Sequence, residues 1–206
     1  MNRQLVFRAI WAALFMVCCL LQVSGQTFVT SLEQVTSGYY RIYSQYNTNG
    51  SDMVISEDVS THNMYCDNPN VDDYLQIWYI DVLSSSENSK SVTLQNVVTQ
   101  MNVNRSSGNF HTHANAMTFT LQLDMLGFTF LNGGGGLHHQ QSGHDVRSWD
   151  IASEASHWQL EGVDIDDAKL TNQRIEYADL NNMISNASTI TTALSKYFTD
   201  ASCSHP

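Results

Sequence analysis

Two groups of side chains in this chain are of types that could do chemistry. The first is histidine. His111 and His113 stand two apart in a strand-like run, and a strand aims such a pair at one face. His138, His139 and His144 gather just after a run of four glycines, Gly133 to Gly136. A His-x-His pair with a further histidine is a ligand type that suits zinc or copper, but no fourth ligand follows at the spacing of a known site. No metal or other cofactor is therefore expected; these five residues are the ones that would hold a metal. The second group surrounds Trp149 in the polar run Asp145-Val146-Arg147-Ser148-Trp149-Asp150. An exposed indole beside carboxylates offers a flat apolar face with hydrogen-bonding groups at its rim. Groups arranged for catalysis are thin. No nucleophile elbow and no H-E-x-x-H motif occur, and the paired acids Asp72-Asp73 and Asp166-Asp167 sit in turn contexts. Glycoside hydrolysis needs two carboxylates held across a cleft, and nothing in the spacing supplies them. The chain is read as not an enzyme.

The elements that would position these residues follow a threefold pattern. Strand-like runs open at Tyr39 to Tyr43, Val92 to Asn96 and Phe128 to Asn132. Each is followed by turns and a closing aromatic strand, centred on Trp78, Phe119 and Trp158, 41 and 39 residues apart. A period near forty residues marks one supersecondary unit copied so that neighbours bury a shared core. In Met117 to Leu123 the apolar residues alternate with Thr118, Thr120 and Gln122, the period-2 signature of a strand with one buried face. Gly133 to Gly136 reads as a flexible hairpin turn. No lysine follows it at phosphate-loop spacing. After Asp164 the pattern changes. Leu170, Ile175, Leu180, Met183, Ile184, Ile190, Leu194 and Phe198 recur roughly every three to five residues, which predicts one or two amphipathic helices between about 168 and 198. Either the helix packs back on the β domain, or the chain is the front of a longer multidomain protein; the second is preferred.

Residues 1–25 have the form of a secretory signal, with Arg3 and Arg8 before an apolar run and a small-residue site ahead of Gln26. No later segment is apolar enough to cross a membrane, so no transmembrane segment is expected after cleavage. The expected location is secreted, cell-surface or periplasmic. The formal net charge is −11. The basic residues beyond the signal (Arg41, Lys90, Arg105, Arg147, Lys169, Arg174, Lys196) are scattered, which argues against nucleic acid and anionic lipid as partners. Cys66 and Cys203 remain after processing; an oxidising compartment would permit a bond between them, and the spacing does not decide it.

Gln76-Ile77-Trp78 is similar to the Q-x-W signature of ricin B-like (R-type) β-trefoil lectin domains of secreted bacterial proteins. Ser156-His157-Trp158 is a partial copy, and Phe119 replaces the tryptophan of a third. The resemblance implies an all-β trefoil over residues 26–165, with three pseudo-repeats of four strands. Six strands would form a barrel and six would form capping hairpins, with a short helical segment over 166–206. It implies that Trp78, Phe119 and Trp158 fill the common core. It also implies a shallow sugar pocket in each repeat, where a carboxylate after the opening strand bonds two hydroxyls and a ring stacks on the pyranose. The matching places are Ser44, Asn96 and Asn132, so no repeat keeps the carboxylate. The third repeat is the best candidate, with Asn132, Asp145, Trp149 and Asp150. The first offers Asp72 and Tyr74, and the second Asn96. The expected partner is a glycan or polysaccharide. The tail Tyr197 to Cys203 resembles the segment after such trefoils in enhancin-like metallopeptidases. This leaves open a second reading, in which the chain is a non-binding docking domain for a C-terminal catalytic partner.

Overall fold

Burial alternates along several of the strands of this protein. In Lys90–Asn96 every second residue, from Lys90 through Val92 and Leu94 to Asn96, is buried. Alternation of this kind forms when β-branched and aliphatic side chains line one face of a pleated strand and polar ones line the other. The structure is a computed structural model that describes residues 27–46 and 52–200, with side chains as far as residue 192. The expected signal sequence and Cys203 lie outside the described residues.

Thirteen strands are present among those residues: β1 (Thr27–Phe28), β2 (Gly38–Ser44), β3 (Val54–Glu57), β4 (Met64–Asp67), β5 (Trp78–Ser85), β6 (Lys90–Asn96), β7 (Asn102–Ser106), β8 (Asn109–His113), β9 (Phe119–Leu123), β10 (Phe128–Asn132), β11 (Gly135–His139), β12 (Val146–Trp149) and β13 (Trp158–Gly162). All pairings are antiparallel. β2 pairs with β5, β5 with β6, β6 with β9, β9 with β10, β10 with β13, and β13 returns to β2, which closes a six-stranded barrel. The pairs β3–β4, β7–β8 and β11–β12 are three hairpins over one end. The hairpins touch through Arg147↔Asn109 and through single bridges at Asn63↔His111 and Tyr65↔Asp145. β1 adds to β13 beside the barrel. Three copies of strand, hairpin and strand around one axis make a β-trefoil, the fold that the Q-x-W resemblance implied.

The three closing aromatics meet in one core. Trp78, Phe119 and Trp158 are fully buried in a single cluster. Each indole also holds a hairpin in place. Trp78 Nε1 donates to the Ile55 carbonyl in β3, and Trp158 Nε1 donates to the Leu137 carbonyl in β11, both at 3.0 Å. Phe119 has no such donor. The Val103 carbonyl, in the corresponding strand β7, accepts instead from the backbone N–H of Met117 at 3.1 Å.

Buried polar groups tie the cap together. Glu57 in β3 accepts from the hydroxyls of Thr99 and Thr112 and bonds His62 Nδ1 at 2.9 Å, linking the first hairpin to the second repeat. His139 in β11 is fully buried between Ser44 Oγ and His144 Nδ1, each 3.0 Å away. Burial, with smaller contributions from His144 and His138, lowers its pKa to about 4. Cys66 is a free thiol within the core, and burial pushes its pKa up.

The predicted helical region is one helix, α1 (Asp167–Asp200). The Asp166 carboxylate caps it by accepting the N–H groups of Ala168 and Lys169. Its first turns do pack back on the trefoil. Leu170 is buried with Tyr74, Ile77, Val97 and Val98, and Tyr177 lies against the same cluster. Gln173 bonds the backbone on either side of Asp73, and Arg174 Nε donates to the Val97 carbonyl. Half of the expected glycine turn is strand, since Gly135 and Gly136 belong to β11. A Cβ on Gly136 would come within 2.9 Å of the Phe130 carbonyl, so the close approach of β10 and β11 requires glycine there.

Two outcomes test this core. Trp78→Phe strands the Ile55 carbonyl and is expected to lower the unfolding free energy by about 2 kcal/mol in urea titration. Phe119→Trp gains no acceptor, because Met117 already uses the Val103 carbonyl, and overpacking should cost about 1–3 kcal/mol. The second outcome concerns pH. His139 has a folded pKa below the unfolded value near 6.5, so the unfolded chain binds the extra proton first. Its contribution to stability is complete above about 6.5 and is lost as pH falls toward the folded value of about 4. Unfolding measured across that window should show a slope that His139→Gln reduces.

Candidate functional site

The outward face of the third hairpin carries the candidate site. Antiparallel pairing sets Gly136 opposite Trp149 and His138 opposite Arg147. The intervening pairs, Leu137 with Ser148 and His139 with Val146, take the other face, where Leu137, His139 and Val146 are buried. Trp149 and His138 are therefore diagonal neighbours on one face, with ring centroids 6.0 Å apart and planes tilted by 37°. Trp149 is 62% exposed. Its direct cross-strand neighbour is glycine and brings no side chain over it.

Hydrogen bonds fix the chemistry of His138. The Ser156 hydroxyl donates to the Asp150 carbonyl at 2.7 Å, which commits its hydrogen. His138 Nδ1, 2.9 Å from the same oxygen, must then be the donor. Burial lowers the His138 pKa, so the ring is neutral near pH 7 and its Nε2 presents a lone pair. The face thus pairs an open indole with a fixed hydrogen-bond acceptor. Asp150 follows Trp149 directly and spends one carboxylate oxygen on the Ala152 N–H. Neither Ser156 nor His138 is singled out for this site by the sequence. The available signal was the partial Q-x-W, in which Ser156 stands where the first repeat has Gln76. Gln76 pins its own turn through Asn68 and Asn70.

The other expected residues are dispersed. Asp145 does not join Trp149. Four residues of extended strand separate them by about 13 Å, and Asp145 pairs with Arg147 at 2.9 Å. It lines a separate cleft of about 420 Å³ with Asp58, Asn63 and Tyr65, over the junction of the first and third hairpins. Asn132 lies at the end of β10, donates its amide to the Thr118 carbonyl at 2.8 Å, and accepts through its backbone from Arg105. Arg105 in turn donates to Ser148 Oγ, so Asn132 supports the hairpin from below.

In the second repeat, Asn96 is corrected from ligand to turn former. It is fully buried, and its side chain donates to the Leu75 carbonyl and accepts the N–H groups of Val98 and Thr99. In the first repeat, Tyr74 is corrected as well. It is buried beneath α1, its hydroxyl accepts the Asp166 N–H, and the Lys169 ammonium lies 5.1 Å from its ring centre. Asp72 is paired with Lys169, whose hydrogen bond and charge lower the carboxyl pKa. Ser44 bonds His139.

The histidines do not form one set. His111 and His113 are on β8, with ring centroids 6.3 Å apart, and His113 Nδ1 accepts the Asn115 N–H. His138 faces outward, while His139 and His144 bond each other. Among the described residues no three of His, Cys, Asp and Glu are grouped to hold a metal ion.

No protein-family model matches this chain, and no curated protein matches it. Solved structures do. The Polyporus squamosus lectin bound to the human-type influenza-binding epitope Neu5Aca2-6Galb1-4GlcNAc is similar at 12% identity and a TM-score of 0.50, over 62% of this chain and 50% of that one. A PSL1a–E64 complex is similar at 12% identity and a TM-score of 0.49, over 65% and 50%. This chain thus spans about half the length of each. At that identity the likeness to the first supports the fold: this is an all-β chain with the lectin-like trefoil architecture and one C-terminal helix.

Proposed function

We propose that this protein is an exported carbohydrate-binding, lectin-like module with no catalysis of its own, and that it takes a sugar ring on Trp149 of the third repeat. The exposure of Trp149 carries this reading. A large indole left open at a hairpin edge, beside a neutral acceptor, matches what a pyranose presents: an apolar C–H face and hydroxyl donors at its rim. His138 Nε2 accepts one hydroxyl, and the Asp150 carboxylate accepts a second. The similar Polyporus squamosus lectin was solved with a sialylated glycan, which supports looking for a sugar here without naming it. The N-terminal signal expected from the sequence supports a location outside the cell, at its surface or in the periplasm.

One shallow site binds weakly. A millimolar site corresponds to about −4 kcal/mol, so retention on a glycan surface would need several copies or a tethered partner. A second reading is favoured by the first and second repeats, where Asn96, Tyr74 and Ser44 serve the fold. In that reading the trefoil is a docking domain for a larger secreted hydrolase, such as an enhancin-like metallopeptidase, and binds no sugar.

A glycan array probed at high surface density separates the two. Binding is expected, and Trp149→Ala should lose it while thermal unfolding stays within a degree or so, because the ring is exposed. His138→Phe keeps the ring packing but deletes the acceptor, and should weaken binding about fivefold, the effect of roughly 1 kcal/mol. Absence of binding to every glycan, or binding unchanged in Trp149→Ala, rules out this site.

A further inference from the structure

Leu180, Met183, Ile184 and Ile190 lie on the later turns of α1, and all four are exposed, Met183 by 68% and Ile190 by 60%; Leu180 also lines a cleft against the trefoil with Val59, Leu75 and Val98. They form a single stripe. Leu170, Tyr177 and Ile184 stand seven residues apart, Met183 and Ile190 make a second seven-residue row, and Leu180 lies between the two. The near end of the stripe is already an interface, with Leu170 and Tyr177 packed on the trefoil. At 3.6 residues per turn Met183 and Ile190 lie about 120° or more round the helix from Leu170 and Tyr177, so the uncovered face is turned away from the packed one.

The charges indicate what covers it. From Leu180 to Ser195 there is no charged side chain, in a protein whose formal net charge is −11. Elsewhere two copies would bring like charges together; along this stretch they would not. A partner chosen by opposite charge has nothing here to pair with. Helices that lie on membranes carry Lys and Arg on the polar face, whereas the polar face here is Asn, Ser and Thr. Among the described residues no helix is long and apolar enough to cross a membrane.

We propose that the occupant is a second copy of this chain: the α1 helices of two or more copies pack side by side along the stripe from Leu180 onward. The segment from there to Asp200 extends about 30 Å, or three heptads, enough for a short helical bundle. The first heptad, from Leu180 to Asn186, puts three apolar residues on this face, and Ala187 and Ile190 continue it in the second, a broader face than a strict two-stranded seam needs. This association does not depend on sugar binding.

The test is sedimentation velocity with light scattering, on protein expressed from its full coding sequence and purified as processed. The wild type is expected at an integer multiple of the single-chain mass at micromolar concentration. The double variant Ile184→Asp/Ile190→Asp is expected at one chain mass with an unchanged trefoil, since neither residue belongs to a core cluster. The milder pair Met183→Ser/Ile190→Ser, which serves if the aspartates unfold the helix, should raise the concentration for half-association at least about tenfold, equivalent to 1.4 kcal/mol. A monomeric wild type, or variants that associate like it, overturns the proposal. A monomeric wild type that pellets with phosphatidylcholine–phosphatidylserine vesicles overturns it in favour of a lipid surface.

Discussion

The structure depends on three large rings sharing one interior. Trp78, Phe119 and Trp158 sit where the barrel meets its hairpin cap, and no single repeat could bury its ring alone. Residue for residue, rings of this size bury the most apolar area. Two of them also carry direction. Each indole N–H finds a backbone carbonyl of its own hairpin, and this fixes how that hairpin lies over the barrel. The third repeat can present Trp149 outward because Trp158 already fills the inward role and because glycines at 135 and 136 let β10, β11 and β12 approach closely.

Much of this architecture was legible in the residues. The forty-residue period located the opening and closing strands, and the closing aromatics were readable as core because their spacing tied them to one another. The candidate site was less legible, for physical reasons. Asn96 and a sugar-binding amide are the same residue type, and only the turn geometry around Asn96 decides that its donor and acceptor are both consumed. Tyr74 looked available because α1, which buries it, arrives about a hundred residues later in the chain. Asp145 is close to Trp149 in sequence yet at the opposite end of an extended strand. The role of His138 could not be read at all, since it depends on where the single hydrogen of Ser156 points.

The polar interior has its own logic. Glu57 accepts from two threonines and meets His62, and His139 bonds Ser44 and His144, so each of these two buried side chains links two repeats. Apolar packing alone would tolerate small rotations of one hairpin against another. Directional bonds between hairpins tolerate much less, since a misplaced partner leaves a buried group unpaired.

The return of β13 to β2 has a consequence for chains held close together. A barrel closed on itself exposes no continuous row of unpaired N–H and C=O groups, and the cap strands β3, β4, β7, β8, β11 and β12 are only four or five residues long. Neighbouring molecules therefore find little to template on, and crowding by a helical tether would not recruit the sheet into cross-chain strand addition.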